Sequence, residues 1–271
     1  MFRKSEWWYL VISILVIGLA FGFDDGQETF ELAYWATNLV IVFAMVGFSF
    51  IMHQLAHKVV ARMQGFETEY TFWGVQGFPL NPRKLIRLDF RTVMGKGKKK
   101  PFPRKVRILG KEYLIKSLPI GIILSLIVTV VSNGALLFLA VGQYNLLLSK
   151  ATRFGRKFVE VTDYEEAKIA LAGPMTHVVL MVLAKMFNSY GTLDQFIFIN
   201  AALALFYMVP ISKLDGTKVY FGSRLLYVFS LVFIISMIIL VYNLSVVPMI
   251  IISLVSAAVA VGLYYYYQYY R

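Results

Sequence analysis

The apolar positions of this chain fall into long blocks separated by short polar or charged links. Residues 7–23 form the first block, with Arg3 and Lys4 before it and Asp24 and Asp25 after it. Residues 32–63 form a longer second block whose last third turns amphipathic, and further blocks cover 165–187, 193–209, 225–242 and 246–263. At 1.5 Å of rise per residue each block predicts a helix able to cross about 30 Å of hydrocarbon, the fourth with least to spare. The first block has no small-x-small cleavage site and runs into an acidic pair, so it reads as a retained helix and not a cleaved signal.

Residues 117–142 are also apolar, but Pro119 lies near their start and Asn133-Gly134 in their middle. This predicts a hairpin that enters the membrane and returns on the same side, its non-helical backbone shielded by protein or by a wet cavity. Over residues 66–116 the pattern changes. Residues 67–73 alternate and are rich in aromatic and β-branched types, which predicts a strand; 104–107 and 112–115 are candidates for two more. Residues 95–101, Gly-Lys-Gly-Lys-Lys-Lys-Pro, read as a basic loop, either solvated or touching anionic lipid. Residues 264–270 form an aromatic tail suited to the membrane interface. The expected fold is one all-α, multi-pass membrane domain over 1–271. Its core is 32–220: the second helix 32–63, a cytoplasmic β and basic region 66–116, the re-entrant hairpin 117–142 and the helices of 165–209. The C-terminal helices follow over 222–271.

Composition agrees with lipid as the solvent. Fully 59% of the residues are apolar and 15% charged, with mean hydropathy +0.67, more apolar surface than a soluble core of this size can absorb. The net charge of +12 is unevenly spread. The links at 24–28, 188–192 and 243–245 hold no Lys or Arg, whereas Arg3, Lys4, residues 83–116 and 150–157, Lys213, Lys218, Arg224 and Arg271 fall on the opposite side. That bias places both termini in the cytoplasm and reads as a membrane-orientation signal, not as nucleic-acid binding. Lys185, near the outer end of its block, can snorkel. The absence of cysteine excludes disulfides, thiolate metal sites and cysteine nucleophiles.

Two of the three histidines, His53 and His57, stand four apart near the cytoplasmic end of the second helix. That spacing puts both imidazoles on one face, within reach of one metal ion. A tetrahedral catalytic zinc needs a third protein ligand and an open position. Asp215, in Pro210-Ile-Ser-Lys-Leu-Asp-Gly216, reaches the same side of the membrane; the alternative for an Asp after a loop is a helix N-cap.

Residues 48–58, with their His-x-x-x-His core, resemble the HExxH helix of the site-2 proteases, the intramembrane zinc metalloproteases. Residues 210–216 look like that family's N-x-x-P-x-x-x-L-D-G motif, and Ala172-Gly173-Pro174 resembles its G-P-x-x-N motif. The three occur in the family's order, and residues 218–224 look like archaeal members. The resemblance implies a single Zn2+ held by His53, His57 and Asp215, with Gly173, Pro174 and residue 177 near substrate or oxyanion. The partner it implies is a transmembrane helix, unwound to an extended peptide, of a membrane-protein substrate. A strand edge at Tyr70 and Phe72 is a candidate for holding that peptide by strand addition.

Three departures qualify the resemblance. Tyr207 stands where the family has the Asn before the proline. His177 stands where it has the Asn after Gly-Pro; it could donate a hydrogen bond to substrate, support a ligand, touch the metal, or be a tolerated helix residue. Gln54 replaces the glutamate that takes a proton from water and returns it to the leaving amine, and an amide can do neither. With every ligand kept and only the base neutralised, the pattern reads as an engineered Glu→Gln inactivation. The alternatives are a natural pseudoprotease that binds membrane proteins as a scaffold, or a transporter.

Overall fold

A computed structural model of the chain describes residues 2–74, 104–108, 111–115, 119–148, 161–211 and 213–270. The basic loop expected at 95–101 and the charged stretch 150–157 lie outside these residues.

Two helices open the chain, α1 over Lys4–Gly22 and α2 over Leu32–Met63, packed against each other. The buried positions of α2 are Val42, Val46, Ser49, Phe50, His53, Gln54, His57, Lys58 and Ala61. Their spacing of three and four defines one stripe, while Val40, Phe48 and Val59 on other faces stay exposed and apolar. One inward stripe thus carries packing residues toward one end and polar ones toward the other.

Strand β1, Phe66–Phe72, follows α2, and β2, Arg104–Ile108, pairs with β3, Lys111–Ile115, as a separate antiparallel hairpin. Helix α3 spans Ile120–Val131. Its 12 residues extend about 18 Å, too short to cross the hydrocarbon. The chain then reverses at Asn133 and Gly134, both at positive φ (51° and 80°), a conformation Asn and Gly tolerate best. The returning limb is not helical. Ser125 Oγ donates to the Phe138 carbonyl at 2.6 Å, holding the limb on α3, and the limb continues into β4, Gly142–Leu148. Strand β4 pairs antiparallel with β1, Tyr70 opposite Tyr144. The β segment and the hairpin, read from sequence as consecutive modules, are therefore one interlocked unit, and the partner of β1 is β4, not the strands at 104–115.

The remaining helices are α4 (Asp163–Phe187), α5 (Asp194–Tyr207), α6 (Asp215–Gly222), α7 (Arg224–Leu240) and α8 (Val246–Tyr270). Helix α4 starts at a capping box: Thr162 Oγ1 accepts from Glu165 N–H, and Glu165 Oε2 accepts from Thr162 N–H at 3.0 Å. Helix α8 runs on through the tyrosine-rich end instead of yielding to a separate tail. Among the described helices, Leu32–Met63, Asp163–Phe187 and Val246–Gln268 are long and apolar enough to cross a membrane, and α1, α3, α5 and α7 provide shorter apolar helices. Apolar packing forms two clusters. One gathers α1, α2, β1 and α5 around Phe50, Tyr70 and Tyr207; the other gathers α4 to α8 around Ile169, Met181 and Ile234.

Candidate metal centre

The seam between the two clusters is polar. His53 and His57, one turn apart on the inward stripe of α2, are each 1% exposed, and their Nε2 atoms lie 3.0 Å apart. Asp215 is the first residue of α6, not its N-cap; Leu214 takes that position. Its Oδ2 lies 3.3 Å from both Nε2 atoms. Gly216 lets it come so close, because a Cβ there would collide with the Met208 carbonyl just past the end of α5.

These three atoms fit a metal ion. His57 Nδ1 donates to the Ile169 carbonyl at 2.7 Å, so in the neutral ring Nε2 carries a bare lone pair. Asp215 Oδ2 is buried with no hydrogen-bond partner. Lone-pair atoms gathered at 3.0–3.3 Å without a proton between them repel unless a cation joins them. A tetrahedral zinc with bonds of about 2.0–2.1 Å separates its ligand atoms by about 3.3–3.4 Å, close to these spacings.

Helix α4 forms the floor. A Cβ at Gly173 would fall 2.5 Å from His57 Nε2 and 2.6 Å from His53 Nε2, so only glycine fits there. Pro174, buried in the helix interior, supplies no N–H and crowds the carbonyl of Ala170. The neighbouring carbonyl, that of Ile169, is the one that takes the His57 hydrogen. Gly173, expected near substrate, thus lies directly against the two histidines, and Pro174, expected there too, is buried in the helix next to it.

Aromatic rings wall the centre. Tyr207 packs on His53 and Tyr144 on His57, each with ring centroids 4.5 Å apart, and Phe50 lies parallel to the His53 ring at 6.1 Å. Lys218, one turn past Asp215, has its Nζ 3.2 Å from the centre of the Tyr144 ring and donates to the Tyr144 carbonyl at 3.2 Å. Burial lowers the Lys218 ammonium below its usual range, opposed by Asp215 and Glu166. Gln54 is buried on the same stripe beside His53.

His177 is fully buried behind His53. Its Nε2 lies 3.0 Å from His53 Nδ1 and its Nδ1 lies 2.9 Å from Asn200 Oδ1, so neither ring nitrogen is free for a substrate carbonyl. Sequence reading missed Asn200, although a buried Asn inside an apolar helix is the kind of costly polar residue that marks a site. Tyr144 was missed as well, since only the β1–β4 register brings it to the centre.

Tyr70 and Phe72 lie on β1, where Tyr70 stands opposite Tyr144. Tyr70 is buried, with its hydroxyl 2.7 Å from Ser13 Oγ. The edge of β1 remote from β4 is engaged there. Glu6 Oε1 accepts from Tyr70 N–H at 2.8 Å and from Lys58 Nζ at 2.7 Å, and Lys58 Nζ also donates to the Thr68 carbonyl at 2.7 Å. Among the described residues the other edge of β4 has no strand partner.

No family model matches this chain, and no solved structure does. A protein of Methanocaldococcus jannaschii named "Putative zinc metalloprotease" is 27% identical over 226 residues, which cover 80% of this chain and 84% of that protein. The chain is therefore similar over most of its length to a protein named as a zinc metalloprotease, in keeping with the site-2 protease resemblance of its three motifs.

Proposed function

We propose that this chain is an intramembrane zinc metalloprotease of the site-2 type, cleaving transmembrane segments of membrane proteins, and that Gln54 leaves this form with little or no activity. The observation that carries the reading is the convergence of His53 Nε2, His57 Nε2 and Asp215 Oδ2, three buried acceptors backed by a glycine at 173. Zinc bound there would supply Lewis-acid polarisation of water and of the scissile carbonyl. The chain's own residues do the rest. Tyr207, Tyr144 and Phe50 exclude water around the histidines. Gln54 can hydrogen-bond a water or a carbonyl but can neither remove a proton nor return one.

The substrate is read as an extended peptide. A helix hides its backbone, so the segment to be cut must unwind, and an open strand edge offers its backbone new partners. With β1 closed off by Glu6 and Lys58, the remaining edge of β4, which meets Lys218 at the Tyr144 carbonyl but has no strand partner among the described residues, is the better candidate, and Tyr144 packs on His57. The chain would be multi-pass with both termini cytoplasmic and the centre toward the cytoplasmic side, with residues 117–142 re-entrant. The alternative favoured by Gln54 itself is a pseudoprotease that retains zinc and substrate binding as a scaffold.

Two measurements decide between these readings. Purified protein should carry zinc by elemental analysis, and His53→Ala or Asp215→Ala should lose it; a metal-free parent would reject the centre. Restoring Gln54→Glu should raise cleavage of a single-span substrate by about 10²- to 10⁴-fold, the usual contribution of a general base. No gain with zinc bound favours the scaffold.

A further inference from the structure

The contact between His53 and His177 poses a question of direction, because either imidazole nitrogen can donate or accept. The answer comes from a neighbouring helix. A backbone carbonyl can only accept, so the Phe196 carbonyl, 2.9 Å from the Asn200 amide nitrogen, fixes that side of the amide as NH₂. Asn200 therefore turns its oxygen to His177, and an amide oxygen only accepts, so His177 Nδ1 carries a hydrogen. The hydrogen-bonding partners of His177 are an imidazole and an amide, neither of them a counter-charge, and its complete burial keeps the ring neutral. A neutral ring has one N–H. His177 Nε2 thus accepts, His53 Nδ1 donates, and His53 Nε2 is left bare toward His57 and Asp215.

We propose that His177 and Asn200 form a relay, anchored on the Phe196 carbonyl, that holds His53 in the tautomer able to bind the metal. Free in water a histidine ring favours hydrogen on Nε2, which would block a ligand. His57 solves the same problem locally, through Ile169 of the helix it packs against. His53 Nδ1 instead meets the imidazole of His177, so the polar residues at 177 and 200 supply its acceptor. Both are positioning residues, acting through His53 and touching no substrate. The relay links α2, α4 and α5 at the centre, which accounts for a buried Asn in the apolar stretch of α5 beyond Gln195.

This inference rests on the metal reading for its purpose but not for its test. In zinc-free protein labelled with ¹⁵N-histidine in detergent micelles, long-range nitrogen–proton correlation reads which ring nitrogen carries hydrogen, and with three histidines assignment needs only single variants. Hydrogen on Nδ1 of all three is expected. His177→Leu and Asn200→Leu should let His53 populate the Nε2–H form and weaken zinc binding by about 10- to 100-fold, the usual cost of losing a ligand's hydrogen-bond partner. His57 should keep its signature and so report an intact fold. His177→Gln, whose amide can accept from His53 and donate to Asn200, should recover most of the affinity. Hydrogen on Nε2 of His53 in the parent overturns the proposal, as does unchanged zinc affinity in His177→Leu. So does a loss in His177→Gln equal to that in His177→Leu. If the parent binds no zinc, the metal reading fails while the tautomer measurement still decides the relay.

Discussion

A methyl group at residue 173 would stand between two imidazoles. The Nε2 atoms of His53 and His57 are too near to give way without leaving Asp215, and α4 is held in place by its packing on α2 and α6. Gly173→Ala should therefore weaken zinc binding by about 10- to 100-fold, the equivalent of roughly 1–3 kcal/mol of overpacking, measured by competition against a chelator of known affinity. Thermal unfolding of the zinc-free protein should change less, since the imidazoles can swing away from residue 173 when no ion must be shared. At this scale the sequence is informative where chemistry is repeated locally. His53 and His57 declare themselves by a four-residue spacing, and Asp215 by its place between Leu214 and Gly216. Asn200 carries no such mark, because its partner lies 23 residues away on another helix and no spacing rule connects them. His177 was visible as an oddity whose role needed its neighbours.

The buried pair of Glu6 and Lys58 works at the level of elements. Glu6 on α1 is 0% exposed and Lys58, next to His57 on α2, is 6% exposed. Together they bond the outward N–H of Tyr70 and the outward carbonyl of Thr68, so two side chains stand where a third strand would pair. Lys58→Met should destabilise the protein by about 3–5 kcal/mol by stranding a buried carboxylate, and Glu6→Gln added to it should recover part of the loss, both read from unfolding in detergent. The remaining edge makes a separate prediction. In the β1–β4 register the residues alternate between the two sides, and Trp73 N–H bonds the Val141 carbonyl across the pair, so Leu146 turns its N–H away from β1. Leu146→Pro should spare the pair yet weaken capture of a crosslinkable single-span substrate in the Gln54 form several-fold; unchanged capture would remove β4 as the docking edge. The strand at 66–72 was legible from its alternation, and the reversal at 133–134 from Asn-Gly. Strand β4 was not, because Gly-Gln-Tyr-Asn-Leu-Leu-Leu alternates poorly and becomes a strand through a partner some 70 residues earlier.

The whole molecule has two chemically different ends. At one, Gly134 lies against Asp24, Gln195 donates to Asn38 at 3.2 Å, and Asn188 donates to Asp194 at 2.6 Å. The links there, 24–31, 188–193 and 241–245, contain no Lys or Arg. At the other, Arg3 pairs with Glu67 and Glu69, Lys218 pairs with Glu166, and Arg224 stands beside the Tyr220 ring. Among the described residues, packing thus sets Arg3, Lys218 and Arg224, far apart in sequence, at the end away from those links. The metal centre lies toward the basic end, since Lys58 and Lys218 each follow a candidate ligand within three residues. The chain has no cysteine, so a single introduced thiol reports its side without background. Tyr190, 93% exposed on the uncharged link, and Lys4 at the basic end are the two positions to compare. In intact cells a membrane-impermeant maleimide should label Tyr190→Cys within minutes and leave Lys4→Cys untouched until the membrane is permeabilised. The reverse pattern would invert the orientation and put the centre on the outer side. Labelling of both from outside would mean an even number of crossings between them, as when the α3 hairpin spans instead of returning.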